Sequence, residues 1–585
     1  MTDPAPTPAT GSALEFIGDL PAATAEALAE AAATAEDSGW VDRMWDRDTT
    51  VWSSDDAIRR SIEHRLGWLD APDTFDEMIP ELEAFAEAAK GSFSAAVLAG
   101  MGGSSLAPAL LAHTFGASSN GMPVHVLDST DPAAVAAIEA AAPPAETLYL
   151  ISSKSGTTTE TLAFESYFLA RVDAALDPQE GLVERVIDAA HSGPETRVGD
   201  HFVAITDPPP SLDRIPWSDR FREVFLNPTD VGGRYSALTY VGLVPAALLG
   251  MKLDTLLGAA SGMAEQCRAS AAGANPGLAL GLAMGTLARA GRDKLTLVLD
   301  ARIALFGAWL EQLIAESTGK AGRGIVPVNG EPLGTPDAYG TDRFFVSIEL
   351  DGGGADADAT REALEALAAA GHPVARISLP DLTALGAEFF RWEFATAVAG
   401  AVLGVNPFDE PNVTESKENT ERVLDEGPSS REALSVADDD AAAELAEHLA
   451  HVGGNEYLAL TAFIAQTPER DAALERIRVA LRDATRHATT VGYGPRYLHS
   501  TGQLHKGGPP IGWFLQLVSA HPDDLRIPGR GYGFATLIAA QADGDLASLE
   551  AHGLPVRRID LGDDPDAGLA LLEATVATAL RSTIR

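Results

Sequence analysis

The sequence predicts an α/β fold with doubly wound parallel sheets behind a helical N-terminal segment. Short, almost continuous apolar runs recur along the chain and alternate with Ala- and Leu-rich helical segments. Such runs are typical of strands that are buried on both faces of a parallel sheet. The length of 585 residues suits several domains. Residues 20–70, rich in Ala, Leu and acidic side chains, are predicted to form the helical segment.

The apolar runs fall into three series. The first series comprises residues 95–100, 123–128, 147–152 and 202–206. An apolar helical region at about 235–290 precedes the second series, which comprises 294–300, 343–350 and 373–379. A helical patch near 413–450 precedes the third series, which comprises 457–464, 489–494, 512–519 and 555–561. The second and third series are compatible with one shared sheet.

The composition excludes several classes of function. With 84 acidic and 42 basic residues, the net charge is −42, so the surface repels nucleic acid and anionic membranes. The N-terminus lacks the basic and apolar regions of a signal peptide, and the longest apolar stretches fall short of the roughly 20 residues of a membrane helix. A single cysteine, Cys267, excludes an intramolecular disulfide. We therefore expect a cytoplasmic protein without nucleic-acid or membrane partners.

A glycine turn, "AGMGGSSLAP" (99–108), follows the first predicted strand and opens a helix. Its glycines allow a tight turn and a close approach of backbone to ligand. Ser104 and Ser105 lie near the helix N-terminus, where free N–H groups and the helix dipole favour an anion. A plain glycine turn with a serine N-cap explains the motif equally well.

A hydroxyl-rich loop, "SSKSGTTTET" (152–161), repeats this arrangement at a later strand. Ser153, Ser155, Thr157 and Thr158 can each donate a hydrogen bond, whereas a helix N-cap needs only one such residue. Hydroxyl and amide groups hold a phosphate without several buried cations. Because the loop lacks the G-x-x-x-x-G-K pattern of a nucleotide-binding loop, we expect a phosphorylated metabolite rather than ATP.

Further candidate residues follow in the C-terminal two thirds. Arg234 follows two glycines, and Glu316 ends an amphipathic helix, where a buried carboxylate can transfer protons. Taken alone, Arg234 is equally compatible with a surface loop, and most glutamates in such a position are solvated surface groups. Lys417 lies on a helix after Pro-based turns, and His499 and His505 share one Gly-rich loop. No HExxH motif and no Cys/His cluster with zinc spacing is present, so we expect no metal.

Together these motifs resemble the glucose-6-phosphate isomerase family. The order "GMGGSSLAP", "SSKSGTTTET", "VGGRYS", "AESTGK" and "NPFDEPNV…K" follows the family from about residue 95 to 420. The segment "LHSTGQ" is similar to its catalytic-histidine segment, and the C-terminal part is most similar to the isomerase half of fused transaldolase–phosphoglucose isomerase proteins. The resemblance implies an N-terminal tail and helices over 1–75 and two sugar-isomerase (SIS) domains, over 76–265 and 266–585. The C-terminal part of the second domain is rearranged.

The resemblance also implies an activity and residue roles. The activity is the reversible isomerisation of glucose 6-phosphate and fructose 6-phosphate in glycolysis and gluconeogenesis, without a cofactor, in a homodimer. Glu316 matches the base that moves a proton between C2 and C1, and Arg234 matches the group that stabilises the enediolate. His499 matches the ring-opening histidine, and Lys417 the lysine near the ring oxygen and phosphate. The residues that match the phosphate cradle are Ser104, Ser153, Lys154, Ser155, Thr157 and Thr158.

Three departures from the family pattern leave alternatives open. The histidine follows Lys417 in the chain, which makes His505 a competitor of His499. Glu410 stands where the family commonly has Gln, and a carboxylate repels phosphate unless it pairs with a cation. Gly156 replaces a bulkier residue, as in general SIS phosphosugar binders. A non-catalytic phosphosugar sensor therefore remains an alternative, as does an isomerase that acts on mannose 6-phosphate.

Overall fold

A helical segment precedes the first sheet, as the sequence predicts. The structure is a computed structural model that describes residues 13–176, 196–426 and 433–583, so most of the N-terminal tail lies outside the described residues. The first elements are β1 Glu15–Phe16, α1 Ala22–Asp37, α2 Trp40–Trp45, α3 Asp56–Glu63, α4 Ala71–Asp76 and α5 Ile79–Lys90. Trp52 and Trp68 are buried, and Trp52 Nε1 donates a 2.8 Å hydrogen bond to the carbonyl of Ala397. The segment thus packs into the main core.

The first sheet is parallel throughout and has the strand order β3-β2-β4-β5-β6. Its strands are β2 Ala95–Gly100, β3 Val124–Leu127, β4 Thr147–Ser152, β5 Phe202–Thr206 and β6 Glu223–Leu226. Its helices are α6 Leu106–Phe115, α7 Pro132–Ala141, α8 Thr159–Leu176 and α9 Thr196–Gly199. Every residue of β2 and β4 is buried, which explains their continuous apolar sequences. Ligands of such sheets bind beyond the carboxyl ends of the strands where the order reverses, here β2 and β4.

The second sheet has the order β1-β10-β9-β7-β8, and β1 is its antiparallel edge strand. Its other strands are β7 Lys294–Leu299, β8 Val326–Val328, β9 Arg343–Leu350 and β10 Val374–Leu379. The helices of this part are α10 Tyr240–Leu248, α11 Leu253–Gln266, α12 Pro276–Arg289, α13 Phe306–Thr318, α14 Ala355–Ala369 and α15 Leu385–Leu403. An ion pair of 3.0 Å between Glu15 and Arg376 accompanies the pairing of β1 with β10.

The third sheet is separate, so a shared sheet for the second and third series is wrong. It is parallel, with the order β11-β15-β14-β12-β13. Its strands are β11 Leu434–Ser435, β12 Tyr457–Phe463, β13 Ala488–Tyr493, β14 Gly512–Val518 and β15 Val556–Asp560. Its helices are α16 Val413–Glu426, α17 Ala441–Leu449, α18 Pro468–Thr485, α19 Gly502–Gly507, α20 Phe534–Ala551 and α21 Pro565–Thr583.

The two sheets are separate because the strands of the second series and those of the third series pair only within their own series. In each sheet the first long parallel strand, β2, β7 or β12, has the next parallel strand on one side and the following two on the other. Most apolar side chains around the third sheet form a core of their own with α18 and α21. The predicted α/β architecture is therefore confirmed. The domain boundaries at residues 75 and 265 stay a prediction.

Buried polar contacts dock the third sheet and its helices, here called the third unit, onto the other two. From α18, Arg478 donates from Nη1 to the carbonyl of Asn329, at 2.9 Å. Lys294 Nζ, on β7, donates to the carbonyl of Asn455, at 2.6 Å. This docking places the turn Arg496–His499, between β13 and α19, near the carboxyl ends of β2 and β4. None of the helices within the described ranges is both long and apolar enough to cross a membrane.

Candidate active site

The glycine turn after β2 is the point where three parts of the chain meet. Gly102 has φ +54°, a left-handed conformation that favours glycine. A Cβ at this position would lie 2.7 Å from the carbonyl oxygen of His499 and 2.8 Å from Gln312 Nε2. A Cβ at Gly103 would lie 2.2 Å from the carbonyl oxygen of Gly233. The turn needs glycine because the histidine turn, helix α13 and the loop before Arg234 all approach its backbone.

The hydroxyl-rich loop after β4 leads into helix α8. Ser153 Oγ donates to Thr158 Oγ1 at 3.1 Å, and the hydroxyls of Ser155 and Thr157 lie 2.9 Å apart. The helix is 18 residues long, so its N-terminal amides and dipole favour an anion at this loop. The structure thus brings together four of the hydroxyl side chains in the predicted cradle.

The two other predicted cradle residues have different surroundings. Lys154 forms an ion pair with Asp207, whose pKa is raised by burial against the opposing effect of the ammonium group. Part of the lysine charge is therefore offset within the protein. Ser104 lies half-buried in the glycine turn. Gly156 has φ +66°, and a Cβ there would lie 2.1 Å from the carbonyl oxygen of Ser211, which explains the departure from a bulkier residue.

Glu316 lies buried in the last turn of α13, with 8% of its surface exposed. Its Oε2 accepts a hydrogen bond of 3.0 Å from Gln312 Nε2, one helical turn earlier. Its Oε1 lies 3.4 Å from Nη1 of Arg234. Burial raises the pKa of Glu316, Arg234 opposes this rise, and the nearby carboxylate of Glu410 adds to it. A carboxylate with a raised pKa suits a group that takes up and returns a proton.

Arg234 is buried, and its guanidinium is held from several sides. Nε donates to Ser317 Oγ at 2.8 Å, and Nη2 donates to the carbonyls of Pro407 and Asp409 at 2.8 and 2.9 Å. Nη1 donates to Glu410 Oε2 at 3.1 Å. Burial disfavours its charged form, but the two nearby glutamates outweigh this effect and raise the pKa of Arg234. The site thus contains a rigid positive charge beside Glu316.

Lys320 fixes the turn that holds Arg234. Its Nζ donates to the carbonyl of Asn406 at 2.6 Å and to Asp409 Oδ1 at 2.7 Å. Burial lowers the pKa of Lys320 to about 8. In the same turn Glu410 pairs with Arg234, and this cation holds the pKa of Glu410 low although burial opposes it. The carboxylate that departs from the family pattern therefore has the cationic partner it requires.

His499 reaches the site from the third unit of the same chain. Its Nε2 lies 3.0 Å from Glu160 Oε1, in the first turn of α8, directly after the hydroxyl-rich loop. Its carbonyl accepts a 2.8 Å hydrogen bond from Nε2 of Gln312, the residue that also contacts Glu316. The histidine therefore lies between the cradle helix and the helix that carries Glu316.

An ion pair fixes the histidine turn on the first sheet. Two guanidinium nitrogens of Arg496 donate hydrogen bonds to the carboxylate of Asp128. Nε donates to Oδ2 and Nη2 donates to Oδ1, each at 2.8 Å. Asp128 directly follows β3. Burial disfavours the arginine charge, but Asp128 outweighs it and raises the pKa of Arg496. Bidentate pairs of this kind define orientation as well as energy.

His505 lies away from this cluster. His505 is buried on α19 in the third unit, with the rings of Phe514 and Tyr497 at centroid distances of 4.9 and 5.9 Å. Burial lowers its pKa to about 3, so it is neutral. Lys417 lies on α16, but its side chain is outside the described residues, and its role stays a prediction.

Sequence reasoning assigned no role to Glu160 or Gln312. Glu160 lies within the hydroxyl-rich stretch itself, and an acidic residue in the first turn of a helix usually only complements the dipole. Gln312 precedes Glu316 by one helical turn, a spacing at which side chains meet. In the ranges that the structure describes, no three His, Cys, Asp or Glu side chains are grouped to hold a metal ion.

The fold and the site define an α/β protein with a hydroxyl-rich loop at a helix N-terminus and a buried pair of Glu316 and Arg234. A sequence model of the phosphoglucose isomerase family matches residues 74–328. A probable glucose-6-phosphate isomerase of Natronomonas pharaonis is 30% identical over 452 residues, which cover 70% of this chain and 97% of that protein. The glucose-6-phosphate isomerase of Rubrobacter xylanophilus is 28% identical over 426 residues, which cover 62% of this chain and 90% of that protein. The chain belongs to the glucose-6-phosphate isomerase family.

Two solved structures have a similar fold. A hypothetical protein of Thermus thermophilus superposes with a TM-score of 0.56 and 26% identity, covering 70% of this chain and 99% of that chain. A glucose-6-phosphate isomerase of Chlamydia trachomatis superposes with a TM-score of 0.53 and 18% identity, covering 74% and 90%. The second comparison shows that the fold is shared.

Proposed function

We propose that this chain interconverts glucose 6-phosphate and fructose 6-phosphate, the aldose–ketose isomerisation of glycolysis and gluconeogenesis. The observation that carries the proposal is the contact of buried Glu316 with buried Arg234, and its link through Gln312 to the partly buried His499, beside the hydroxyl-rich loop. The reaction moves hydrogen between neighbouring carbons and is redox-neutral, so it requires no redox cofactor. The family membership of the chain supports the same activity.

The first step is ring opening by His499. The bond between C1 and the ring oxygen breaks while the ring oxygen gains a proton and the C1 hydroxyl loses one, which forms the aldehyde. An imidazole is suited to this exchange because its ring nitrogens can both donate and accept a proton. Glu160 accepts a hydrogen bond from Nε2 and orients the ring. Lys417 remains the predicted contact to the ring oxygen and phosphate.

The second step is proton transfer by Glu316. The carboxylate takes the proton from C2 of the open-chain aldose, and the electron pair forms an enediolate whose charge lies on the oxygens. Glu316 then returns the proton to C1, and a hydroxyl proton passes from O2 to O1, which gives the ketose. Arg234 counters charge that develops only in the transition state, so it lowers the barrier rather than the ground state.

The phosphate group anchors the substrate. The hydroxyls of Ser153, Ser155, Thr157 and Thr158, with the N-terminal amides of α8, hold an anion remote from the reacting carbons. Binding energy gained there helps to hold the reacting carbons in place. With a net charge of −42, the protein as a whole repels the substrate, so this local site must supply the attraction.

A coupled assay tests the proposal against the sensor alternative. Purified protein is incubated with fructose 6-phosphate, and the product is oxidised by a glucose-6-phosphate dehydrogenase. We expect steady turnover. A folded protein that binds fructose 6-phosphate without turnover would be a sensor. Mannose 6-phosphate, assayed in parallel, decides whether the substrate range is wider. Cytoplasmic localisation, the homodimer and the absence of nucleic-acid and membrane partners stay predictions.

Loss of one cradle hydroxyl is expected to weaken substrate binding. Thr158→Val keeps the side-chain shape but removes a hydrogen bond to a charged group, and we expect kcat/KM for fructose 6-phosphate to fall about 10-fold. The matched control is Thr161→Val, because Thr161 is buried in the first turn of α8, directly after the loop that contains Thr158. Equal kcat/KM for both variants would remove Thr158 from the cradle.

The charge of Glu410 is expected to set the acidic limb of the pH profile. Glu410 raises the pKa of Glu316, and the reaction needs Glu316 without its proton. In Glu410→Gln the pKa of Glu316 falls, so the rise of kcat/KM with pH should begin at lower pH than in the wild type. Glu415→Gln, which removes a carboxylate that pairs with His552 at 3.0 Å, should leave this limb in place. A limb that moves to higher pH in Glu410→Gln would contradict the assignment.

A further inference from the structure

A buried hydrogen-bond chain runs from the first sheet through the third unit to the histidine. Thr130 Oγ1 donates to Gln541 Oε1 at 2.6 Å, and Gln541 Nε2 donates to Glu160 Oε1 at 2.6 Å. The same Oε1 lies 3.0 Å from His499 Nε2. Thr130, Gln541 and Glu160 are 0%, 2% and 5% exposed, so water does not compete for these bonds.

We propose that Gln541 is a positioning residue for ring opening, which it supports by holding the Glu160 carboxylate against His499. The proposal rests on the proposed isomerase function. Gln541 touches Glu160 rather than the substrate, and it lies on α20.

The oxygen and the nitrogen of the Gln541 amide contact different residues. The hydroxyl of Thr130 donates to the oxygen end, so the NH₂ end faces Glu160. An ionised carboxylate only accepts hydrogen bonds. The Gln541 NH₂ group and the imidazole of His499 can therefore both donate to Glu160. Without the amide, the buried carboxylate loses the hydrogen bond from Gln541 and gains freedom to rotate away from the histidine.

Helix α20 supports the histidine turn at a second point, four residues further on. Asp545 accepts hydrogen bonds from the hydroxyl of Tyr497 and, at 2.9 Å, from Nζ of Lys506. Tyr497 belongs to the turn that ends in His499. One face of α20 therefore holds both the turn that carries the histidine and the carboxylate that orients its ring.

The test separates ring opening from proton transfer. Gln541→Met keeps the size of the side chain but donates no hydrogen bond. Its turnover is compared on fructose 6-phosphate, which is mostly cyclic, and on 5-deoxyfructose 6-phosphate, which lacks the hydroxyl that closes the ring. Both reactions are followed by NMR. We expect kcat to fall about 10-fold for fructose 6-phosphate, less than the roughly 10²-fold or more for a group that itself transfers the proton, and to change less than about twofold for the 5-deoxy ketose.

Thr130→Val is a second variant that keeps the fold, and a smaller loss in the same direction is expected. Thr161→Val, an equally buried threonine next to Glu160, should leave both rates unchanged. Equal losses on both substrates in Gln541→Met and Thr130→Val, or no loss in either variant, would overturn the proposal. Wild-type protein that turns over neither substrate would refute the isomerase function instead.

Discussion

Glu316→Gln is expected to lower kcat for fructose 6-phosphate by about 10³-fold, since a general base contributes roughly 10²- to 10⁴-fold. The amide has the shape of the carboxylate but takes up no proton. KM should change less than about threefold, because the phosphate is held elsewhere by the hydroxyl-rich loop. Steady-state kinetics with the coupled assay measure both constants.

The matched control for this variant is Glu311→Gln, on the same helix. Burial raises the pKa of Glu311 to about 7, so this carboxyl is partly neutral at neutral pH and an amide replaces it at small cost. We expect a kcat within about threefold of wild type, since Glu311 is not a proton-transfer group in this mechanism. Glu316→Gln with more than a tenth of wild-type kcat would remove Glu316 from the role of base.

The stability of Glu316→Gln provides a second check. The folded-state pKa of Glu316 lies above its ordinary value of 4.5, so the folded protein binds this proton more tightly than the unfolded chain. The contribution of Glu316 to stability therefore decreases as pH rises through these values. At pH 7 the neutral amide avoids burial of a carboxylate, so we expect a Tm no lower than that of wild type. A large drop in Tm would show that the lost activity reflects unfolding.

His499→Ala is expected to lower kcat for fructose 6-phosphate by about 10²-fold, at the lower end of the range for general acid–base groups. The loss should be much smaller for 5-deoxyfructose 6-phosphate, which needs no ring opening. The reason is that His499 lies between the cradle helix and Gln312, and Glu160 orients its ring. NMR on both substrates measures the two rates.

His505→Ala is the matched comparison because His505 lies only six residues after His499, on helix α19. His505 packs among aromatic rings, so its loss should lower the free energy of unfolding by about 2–3 kcal/mol through the cavity it leaves. The folded fraction of this variant should keep near-normal kcat on both substrates. A selective loss on the cyclic substrate in His505→Ala, with His499→Ala active, would reverse the assignment.

The central strands could be predicted within one or two residues because their apolar runs are continuous. For example, Ala95–Gly100 and Thr147–Ser152 are buried over their whole length. The strands that sequence reasoning missed are short, such as Glu223–Leu226, which is partly exposed at a sheet edge. Such strands form because a neighbour pairs with them, and their own sequence carries little signal.

The number of sheets depends on pairing between strands that are distant in sequence. An apolar run indicates that a strand is buried, but it does not indicate which strand pairs with it. A shared sheet for the second and third series was therefore compatible with the sequence. The order of strands shows three independent sheets. The third sheet explains how a histidine late in the chain reaches the site.

The site could be predicted in its parts but not in its connections. The hydroxyls of the loop before α8 lie close together in the sequence, so their grouping is a local property. The contact of His499 with Glu160 joins residues 339 positions apart, and that of Gln541 with Glu160 joins residues 381 positions apart. No local spacing encodes these contacts, which arise only when the third unit docks.

The central claim is that one chain carries the complete site, with His499 supplied in cis to Glu316. Complementation tests it most directly: Glu316→Gln and His499→Ala chains with different tags are co-expressed, and hybrid and parental species are assayed with fructose 6-phosphate. We predict that the mixture is no more active than the average of the two variants. If neighbouring subunits shared the site, random dimers would restore about a quarter of wild-type activity, and that result would contradict the claim.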